Sequence, residues 1–372
     1  MRHGRLGAPT IGAMPDAAEA RSRKLSEPVL SVVVCTFNRA KSLPACLDGL
    51  MRQTMRERIE VIVVDDGSTQ DTGSVVARYD VEFVALPTNQ GLSAARNAGI
   101  AVARAPIVAF TDDDVIVPPD WCESLCDAWD VAPKGTFAIG GTVDVAEVTS
   151  FTQRYLARHN PLSPVELDVA HARNVVDRLR AYIKSESHPS RAIRPVYSLV
   201  GANMSFLKEG LTAVGGFDPT IRFGGDEELV CVNLREKFGD QSILCYPDIV
   251  VGHAFDPRLR DTLRRAFLYG FSSGRNWARN GGIPSLRPVG GLAVVSFIAT
   301  APVTLGGAVL VSLLIPFAMW RRWITAAINE REPEAVLYPL LALAQEVASN
   351  IGLVVGWQDE RRKRRRTDRS LR

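Results

Sequence analysis

Two strand-length apolar runs with a helix-period segment between them constrain this chain most. Val29-Leu30-Ser31-Val32-Val33-Val34-Cys35 is nearly continuous in apolar character, and so is Ile59-Glu60-Val61-Ile62-Val63-Val64. Such runs suit strands covered on both faces of a parallel sheet. Between them Leu43, Cys46, Leu47 and Leu50 recur at helical spacing. A β-α-β unit of this kind takes a right-handed crossover, so the sequence predicts an α/β fold on a mostly parallel sheet flanked by helices. Val81 to Leu86 reads as a third strand and Ile107-Val108-Ala109-Phe110 as a fourth. Pro118 and Pro119 stop that strand, and a helical pattern begins near Asp120.

These strands run into acids. The second enters Asp65-Asp66-Gly67-Ser68 and the fourth enters Thr111-Asp112-Asp113-Asp114. Ligands of open α/β sheets collect outside the carboxyl ends of the strands. Three adjacent carboxylates repel one another, and a hard divalent cation with oxygen ligands relieves the repulsion. A solvated acidic turn capping the next helix is the alternative. Asp65 and Asp66 suit a ribose hydroxyl or a base N–H, or else a helix cap before Asp71. Between the two acidic stretches, Asn89-Gln90-Gly91 turns into a small-residue helix bearing Arg96. A helix amino terminus with an arginine suits a phosphate.

At 372 residues the chain has room for one large or two modest domains. The net charge of +3 is unremarkable, but basic residues gather at both ends and between Arg258 and Arg287, while the acidic clusters lie between. That pattern points to a metal-dependent site and an anionic surface partner, such as a membrane or a phosphate-rich ligand, and not to nucleic acid. The six cysteines form no Cys-x-x-Cys pair and most sit in apolar surroundings, which predicts buried reduced thiols. Residues 1–27 read as a disordered tail with no apolar core long enough for a signal peptide.

Four elements in order resemble the nucleotide-sugar half of family 2 glycosyltransferases of GT-A fold. They are Cys35-Thr36-Phe37-Asn38-Arg39, then Val64-Asp65-Asp66-Gly67-Ser68, then Asn89-Gln90-Gly91 with Ala95-Arg96-Asn97-Ala98-Gly99, and the D-x-D element Asp112-Asp113-Asp114. Further on, Tyr197 to Phe206 with its Gly201-Ala202-Asn203, then Gly215-Gly216-Phe217-Asp218 and Phe223-Gly224-Gly225-Asp226-Glu227-Glu228-Leu229, resemble the acceptor half. The resemblance spans Val29 to Phe255. It implies inverting transfer of a sugar from a nucleoside-diphosphate sugar, by family habit a UDP-sugar, to a hydroxyl, with Mg²⁺ or Mn²⁺. It places Thr36, Asn38, Arg39, Asp65, Asp66, Gly67, Asn89, Gly91, Arg96, Asp112 and Asp113 on the nucleotide-sugar. It places Asp112, Asp114 and His253 on the metal, and makes Asp226 the general base.

The chain departs from the pattern in two places. Gly225 stands where the family has Glu, so Glu227 remains open as the base. Processive members carry Q-x-x-R-W, whereas Ser272 to Trp277 lacks the glutamine and separates Arg275 from Trp277. Transfer of one or a few sugars is therefore expected. Phe151 to Pro195 reads as a polar surface insert whose His159, His171 and His188 have no ligand spacing and are expected in solvent. Two other classes stay open: a catalytically inactive membrane scaffold, and a sugar nucleotidyltransferase, whose glycine-rich loop is missing after the first strand.

Pro288 to Trp320 contains no charged residue and is long enough for a bilayer of roughly 30 Å. Pro302 and Gly306-Gly307 interrupt it, leaving one tilted span or a re-entrant hairpin. Ala335 to Trp357 is a second apolar segment with Gln345, Glu346, Ser349 and Asn350 on one side, which suits an interfacial helix or a second span. Basic flanks put the catalytic half and the tail on the cytoplasmic side of the inner or plasma membrane, beside a lipid-linked or cell-envelope glycan acceptor. The expected organisation is a tail (1–27), a GT-A domain (28–256) with nucleotide-sugar half (28–150), insert (151–196) and acceptor half (197–256), a basic linker with membrane-associated helices (257–357), and a basic tail (358–372).

Overall fold

The two apolar runs form neighbouring parallel strands. A computed structural model describes residues 27–187, 190–222, 224–280 and 287–370. β1 (Leu30–Thr36) crosses over through α1 (Leu43–Met51) to β2 (Ile59–Asp65), in register from Leu30 opposite Ile59 to Thr36 opposite Asp65. Then come α2 (Thr72–Val76), β3 (Glu82–Ala85), α3 (Leu92–Val102), β4 (Ile107–Asp112), β5 (Val115–Ile116) and α4 (Trp121–Val131). The strands lie in the order β3, β2, β1, β4, all parallel. β1 and β4 are paired as far as Cys35 opposite Asp112, so Thr36, Asp65 and Asp112 emerge along one edge.

The second half continues the same sheet. It contains β6 (Ala138–Val145), α5 (Phe151–Arg158), β7 (Val165–Glu166), α6 (Leu167–Ala170), α7 (Val175–Ser187), β8 (Arg194–Ser198), β9 (Met204–Leu207), α8 (Lys208–Val214), α9 (Asp226–Phe238) and β10 (Ile243–His253). β9 lies antiparallel between β4 and β6, and β10 runs parallel to β6. β5 pairs antiparallel with the end of β10, setting Val115 opposite His253. Tyr197 to Phe206 is not one strand but parts of two, β8 and β9, with a turn between. Asn203 explains the turn: its Oδ1 accepts from Trp121 Nε1 at 3.0 Å, and its Nδ2 donates to the carbonyls of Thr142 and Ile249 at 2.8 and 2.9 Å.

Alternate side chains of β1 feed opposite faces. Val32 and Val34 join Leu47, Leu50 and Trp121, while Val33 joins Ile62, Phe110 and Phe206. At about 25 cal/mol per Å² of apolar area, these two layers are the main favourable term holding the sheet. All six cysteines are free, as expected.

Five helices follow: α10 (Leu259–Asn280), α11 (Pro288–Thr300), α12 (Leu305–Met319), α13 (Arg321–Asn329) and α14 (Tyr338–Ser370). α10 and α14 touch backbone to backbone. A Cβ on Gly270 would stand 1.9 Å from the Ser349 carbonyl oxygen, and one on Gly352 would stand 2.1 Å from that of Phe267. α14 runs on past position 357, so the basic tail is a continuation of this helix.

The insert is not a solvated appendage. Tyr155, Leu156 and Tyr182 bury themselves against Trp320, Trp323 and Tyr338. The expectation for His159 is corrected accordingly: it is buried, its ring 5.4 Å from that of Trp323 and 5.8 Å from that of Trp320. His171 is exposed, while His188 lies outside the described residues, as do Phe223 and residues 1–26. α14 has its polarity turned inward. Gln345, Glu346 and Ser349 are buried, and Ile351, Val354 and Val355 are exposed. Among the described residues, Pro333–Arg365 is long and apolar enough to cross a membrane, and α12 with α13 passes the same test only as a pair bent by 66°.

Candidate active site

The paired ends of β1 and β4 deliver the acids to one place. Thr36 Oγ1 donates to Asp113 Oδ2 at 2.7 Å. Arg39 Nη1 donates to Asp113 Oδ1 at 3.2 Å and also to Asp114 Oδ2. The β5–β10 pairing sets His253 Nε2 3.2 Å from Asp114 Oδ1, and Arg265 Nη2 of α10 lies 3.6 Å from Asp114 Oδ2. Ligand atoms of Asp112, Asp114 and His253 lie within 4.8 Å of one another. Two carboxylates and an imidazole, with the buried His253 Nδ1 lacking a hydrogen-bond partner, fit a divalent cation.

Burial governs the charges here. It raises Asp112 to about 6 and Asp113 to about 7, against the opposing pull of Arg96 and Arg39 respectively. Asp114 feels the same burial, but the charges of His253 and Arg39 hold it below the usual carboxylate range. Burial also takes His253 down to about 4. An imidazole neutral at pH 7 lends Asp114 little charge, so we assign the depression to Arg39.

The neighbouring loops are tied by the other motif residues. Asp65 Oδ1 accepts from the Ser68 N–H at 3.0 Å. Asp66 accepts from the N–H groups of Gln90 and Gly91 at 2.7 and 2.9 Å. Gly91 has φ of +97°, and a Cβ there would lie 2.8 Å from Arg222 Cα, so both the conformation and the space require glycine. Asn38, with φ of 56°, accepts at Oδ1 from the Thr69 N–H at 2.8 Å. Arg222 Nη2 donates to the Asn89 carbonyl at 2.7 Å.

A cleft of about 490 Å³ results, lined by Thr36, Arg39, Asp66, Asn89, Gly91, Asp112, Asp113, Asp114 and His253, together with Arg265 and Tyr269. Asn38, Asp65 and Gly67 shape the loops behind it without lining it. Arg96 is buried beneath it. Its Nη1 donates to Asp226 Oδ2 at 2.6 Å and lies 3.8 Å from Glu227 Oε2, and its Nη2 lies 3.8 Å from Asp112 Oδ1. The guanidinium carbon sits 5.3 Å from the Phe217 ring centroid.

Asp226 is 0% exposed, whereas the Glu227 side chain is 25% exposed. Glu227 lines a second cavity of about 150 Å³ with Glu228, His159, Gln345 and Glu346, and Tyr269 lines both spaces. Burial and the Asp226 charge push Glu227 well above the usual range, and burial takes Glu228 to about 7. Sequence reasoning missed Arg265 and Tyr269. Their signal was an i, i+4 pair inside the basic stretch after Arg258, a stretch taken for a linker.

A sheet whose parallel half ends in a D-x-D cluster, with a carboxylate pair reached through one buried arginine, has the arrangement of a GT-A fold. Comparison with known proteins agrees. The family model described as glycosyl transferase family 2 matches residues 31–182. The chain is 37% identical over 251 residues to the uncharacterized glycosyltransferase EpsJ of Bacillus subtilis, covering 64% of this chain and 68% of EpsJ. It is 28% identical over 226 residues to the glucosyl-dolichyl phosphate glucuronosyltransferase of Haloferax volcanii, covering 58% and 66%. The chain belongs to glycosyltransferase family 2. Its match takes in 66%, 30% and 50% of the length of three curated relatives. In fold it is similar to the mannosyltransferase PcManGT of Pyrobaculum calidifontis, solved in complex with GDP-Man and Mn²⁺, with TM-score 0.52, 20% identity and 88% of each chain covered.

Proposed function

We propose that the protein transfers a sugar, with inversion, from a nucleoside-diphosphate sugar to a hydroxyl of a lipid-linked or cell-envelope glycan, with a UDP-sugar as the favoured donor. One observation carries this reading: the Asp112–Asp114–His253 cluster opens on the larger cleft while Glu227 faces the adjoining cavity, with Arg96 between them. The Haloferax volcanii relative, whose name specifies a lipid-linked acceptor, supports the acceptor class.

Mg²⁺ or Mn²⁺ held by Asp112, Asp114 and His253 would offset charge building on the departing diphosphate. Arg39 and Arg265 flank Asp114 and face the same charge. Asp113, bound by Thr36, fixes the loop that carries Arg39. Asp66 holds the Asn89–Gly91 turn that lines the cleft where the nucleoside binds. Glu227 accepts the proton of the acceptor hydroxyl as general base. Asp226, the residue that stands at the family's base position, keeps Arg96 in place. Arg275 and Trp277 are engaged elsewhere: Arg275 Nε lies 3.2 Å from Glu360 Oε2, and Trp277 stacks with Trp357. That supports transfer of one or a few sugars over polymer synthesis.

The test is thermal stabilisation of the full chain by UDP, GDP and dTDP, each with Mn²⁺ and with EDTA. A ligand near 100 times its dissociation constant contributes about 2.7 kcal/mol. The expected result is a shift with one nucleotide that disappears with EDTA and in Asp114→Ala. No shift with any of them, in folded protein, moves the reading to an inactive scaffold.

A further inference from the structure

The hairpin of α11 and α12 turns its apolar side chains outward. Ile298 is 65% exposed, Val303 85% and Leu310 59%, and Val295, Leu305 and Leu314 are exposed beside them. A soluble monomer seldom shows so large a contiguous apolar patch. The patch carries no charge between Pro288 and Trp320, yet Arg287 stands at its start and Arg321 and Arg322 at its end. Arg361, Arg362, Lys363, Arg364 and Arg365 on α14 are exposed as well. An apolar wedge with cations at its base complements an anionic lipid surface, with hydrocarbon above and headgroups at the root.

The dimensions fix how deep the wedge goes. α11 has 13 residues and α12 has 15, hence about 20 and 22 Å of helix against a hydrocarbon core of about 30 Å. Neither helix crosses alone. Thr300 to Thr304 turns the chain back at the tip, so both ends of the hairpin emerge on one side.

α14 is long enough to span, but its packing forbids it. It lies along α10 at backbone contact through Gly270, Gly274, Gly352 and Gly356. α10 carries Arg264, Arg265, Arg275 and Arg279, and Arg265 belongs to the catalytic cleft. A spanning α14 would draw these arginines into hydrocarbon.

We infer that the α11–α12 hairpin inserts into a single leaflet of an anionic bilayer, so that the described helices hold the chain on one face of a membrane without crossing it. This does not depend on which sugar or acceptor the enzyme uses.

The test is flotation of the full chain with phosphatidylcholine vesicles and with vesicles containing a quarter phosphatidylglycerol. The expected result is strong flotation with the anionic vesicles and weaker flotation with the neutral ones. Ile298→Glu combined with Leu310→Glu, at sites exposed enough to leave folding intact by circular dichroism, should lower partitioning by about a hundredfold or more. Depth is read from Val303→Cys carrying an environment-sensitive fluorophore. Quenching of that fluorophore by lipids brominated near the acyl-chain ends, together with no reaction of the unlabelled Val303→Cys protein, beyond wild type, with an impermeant maleimide inside the vesicles, supports the one-leaflet anchor. Labelling from inside the vesicles means a span and overturns it. Absence of flotation, or self-association by sedimentation in place of lipid binding, overturns it equally.

Discussion

Arg96 Nη1 donates to Asp226 Oδ2 at 2.6 Å, and both side chains are closed to solvent. The pair joins α3 of the parallel half of the sheet to the first turn of α9, some 130 positions apart. Removing one partner of a buried ion pair leaves the other uncompensated, at about 3–5 kcal/mol. Arg96→Ala is therefore expected to lower the urea midpoint sharply. Arg96→Lys, which keeps the charge but loses the forked geometry and the contact with Phe217, should fall between.

The proposed mechanism gives the two carboxylates different roles, Glu227 as base and Asp226 as the partner of Arg96. Glu227→Gln should cut the turnover number by roughly a hundredfold or more while nucleotide affinity holds. Asp226→Asn should show its main effect as lost stability. A well-folded, inactive Asp226→Asn beside an active Glu227→Gln would return the base role to Asp226.

Arg265 reaches the D-x-D cluster from α10, outside the region matched by the family model. Its side chain is partly exposed, so Arg265→Ala should fold. Affinity for the nucleoside diphosphate, measured by calorimetry with Mn²⁺, should fall by about tenfold or more, the loss expected for a charge-assisted contact. An unchanged affinity would assign Arg265 to the α10 scaffold alone.

At the opposite edge of the sheet, Glu60 Oε1 accepts from Ser31 Oγ at 2.5 Å and from the Arg104 N–H at 2.6 Å, and its Oε2 accepts from Arg104 Nε at 2.7 Å. Burial pushes this carboxyl up, but the hydrogen bonds from Ser31 and Arg104 win and hold it below its ordinary value. A depressed folded-state value means the stabilisation is full above the unfolded-state value, about 4.3, and fades as pH falls through the lower folded value. Glu60→Gln should thus cost stability at pH 7, and the gap from wild type in denaturant titrations should narrow below about pH 4.

Gly270→Ala tests the helix seam. The added carbon would lie 1.9 Å from the Ser349 carbonyl oxygen, so α10 and α14 must move apart. Overpacking of this kind costs about 1–3 kcal/mol. Differential scanning calorimetry should show the loss, and hydrogen exchange should place it in the two helices.

The parallel half of the sheet was legible because β1 and β2 are buried on both faces and read as apolar runs, and because the acids follow the strands directly in sequence. Asp112, Asp114 and His253 were each picked out, and the β5–β10 pairing gathers them. The fate of Arg96 was not legible, since its partner lies 130 positions away and a buried arginine looks in sequence like a phosphate ligand. His159 failed for a related reason. A histidine in a polar stretch reads as solvated, and only Trp320 and Trp323, far downstream, enclose it. The polar side of α14 was visible, but its inward direction depends on α5 and α7, which no local periodicity reports.

The backbone seam between α10 and α14 bears on where this enzyme can be divided. The sheet ends at His253, and position 256 just beyond it looks like a natural place to shorten the chain. A fragment ending there would keep every acid of the cleft, yet it would lack Arg265 and Tyr269 from one wall and Gln345 and Glu346 from the neighbouring cavity. What resembles a detachable anchor is also the far side of the reaction vessel.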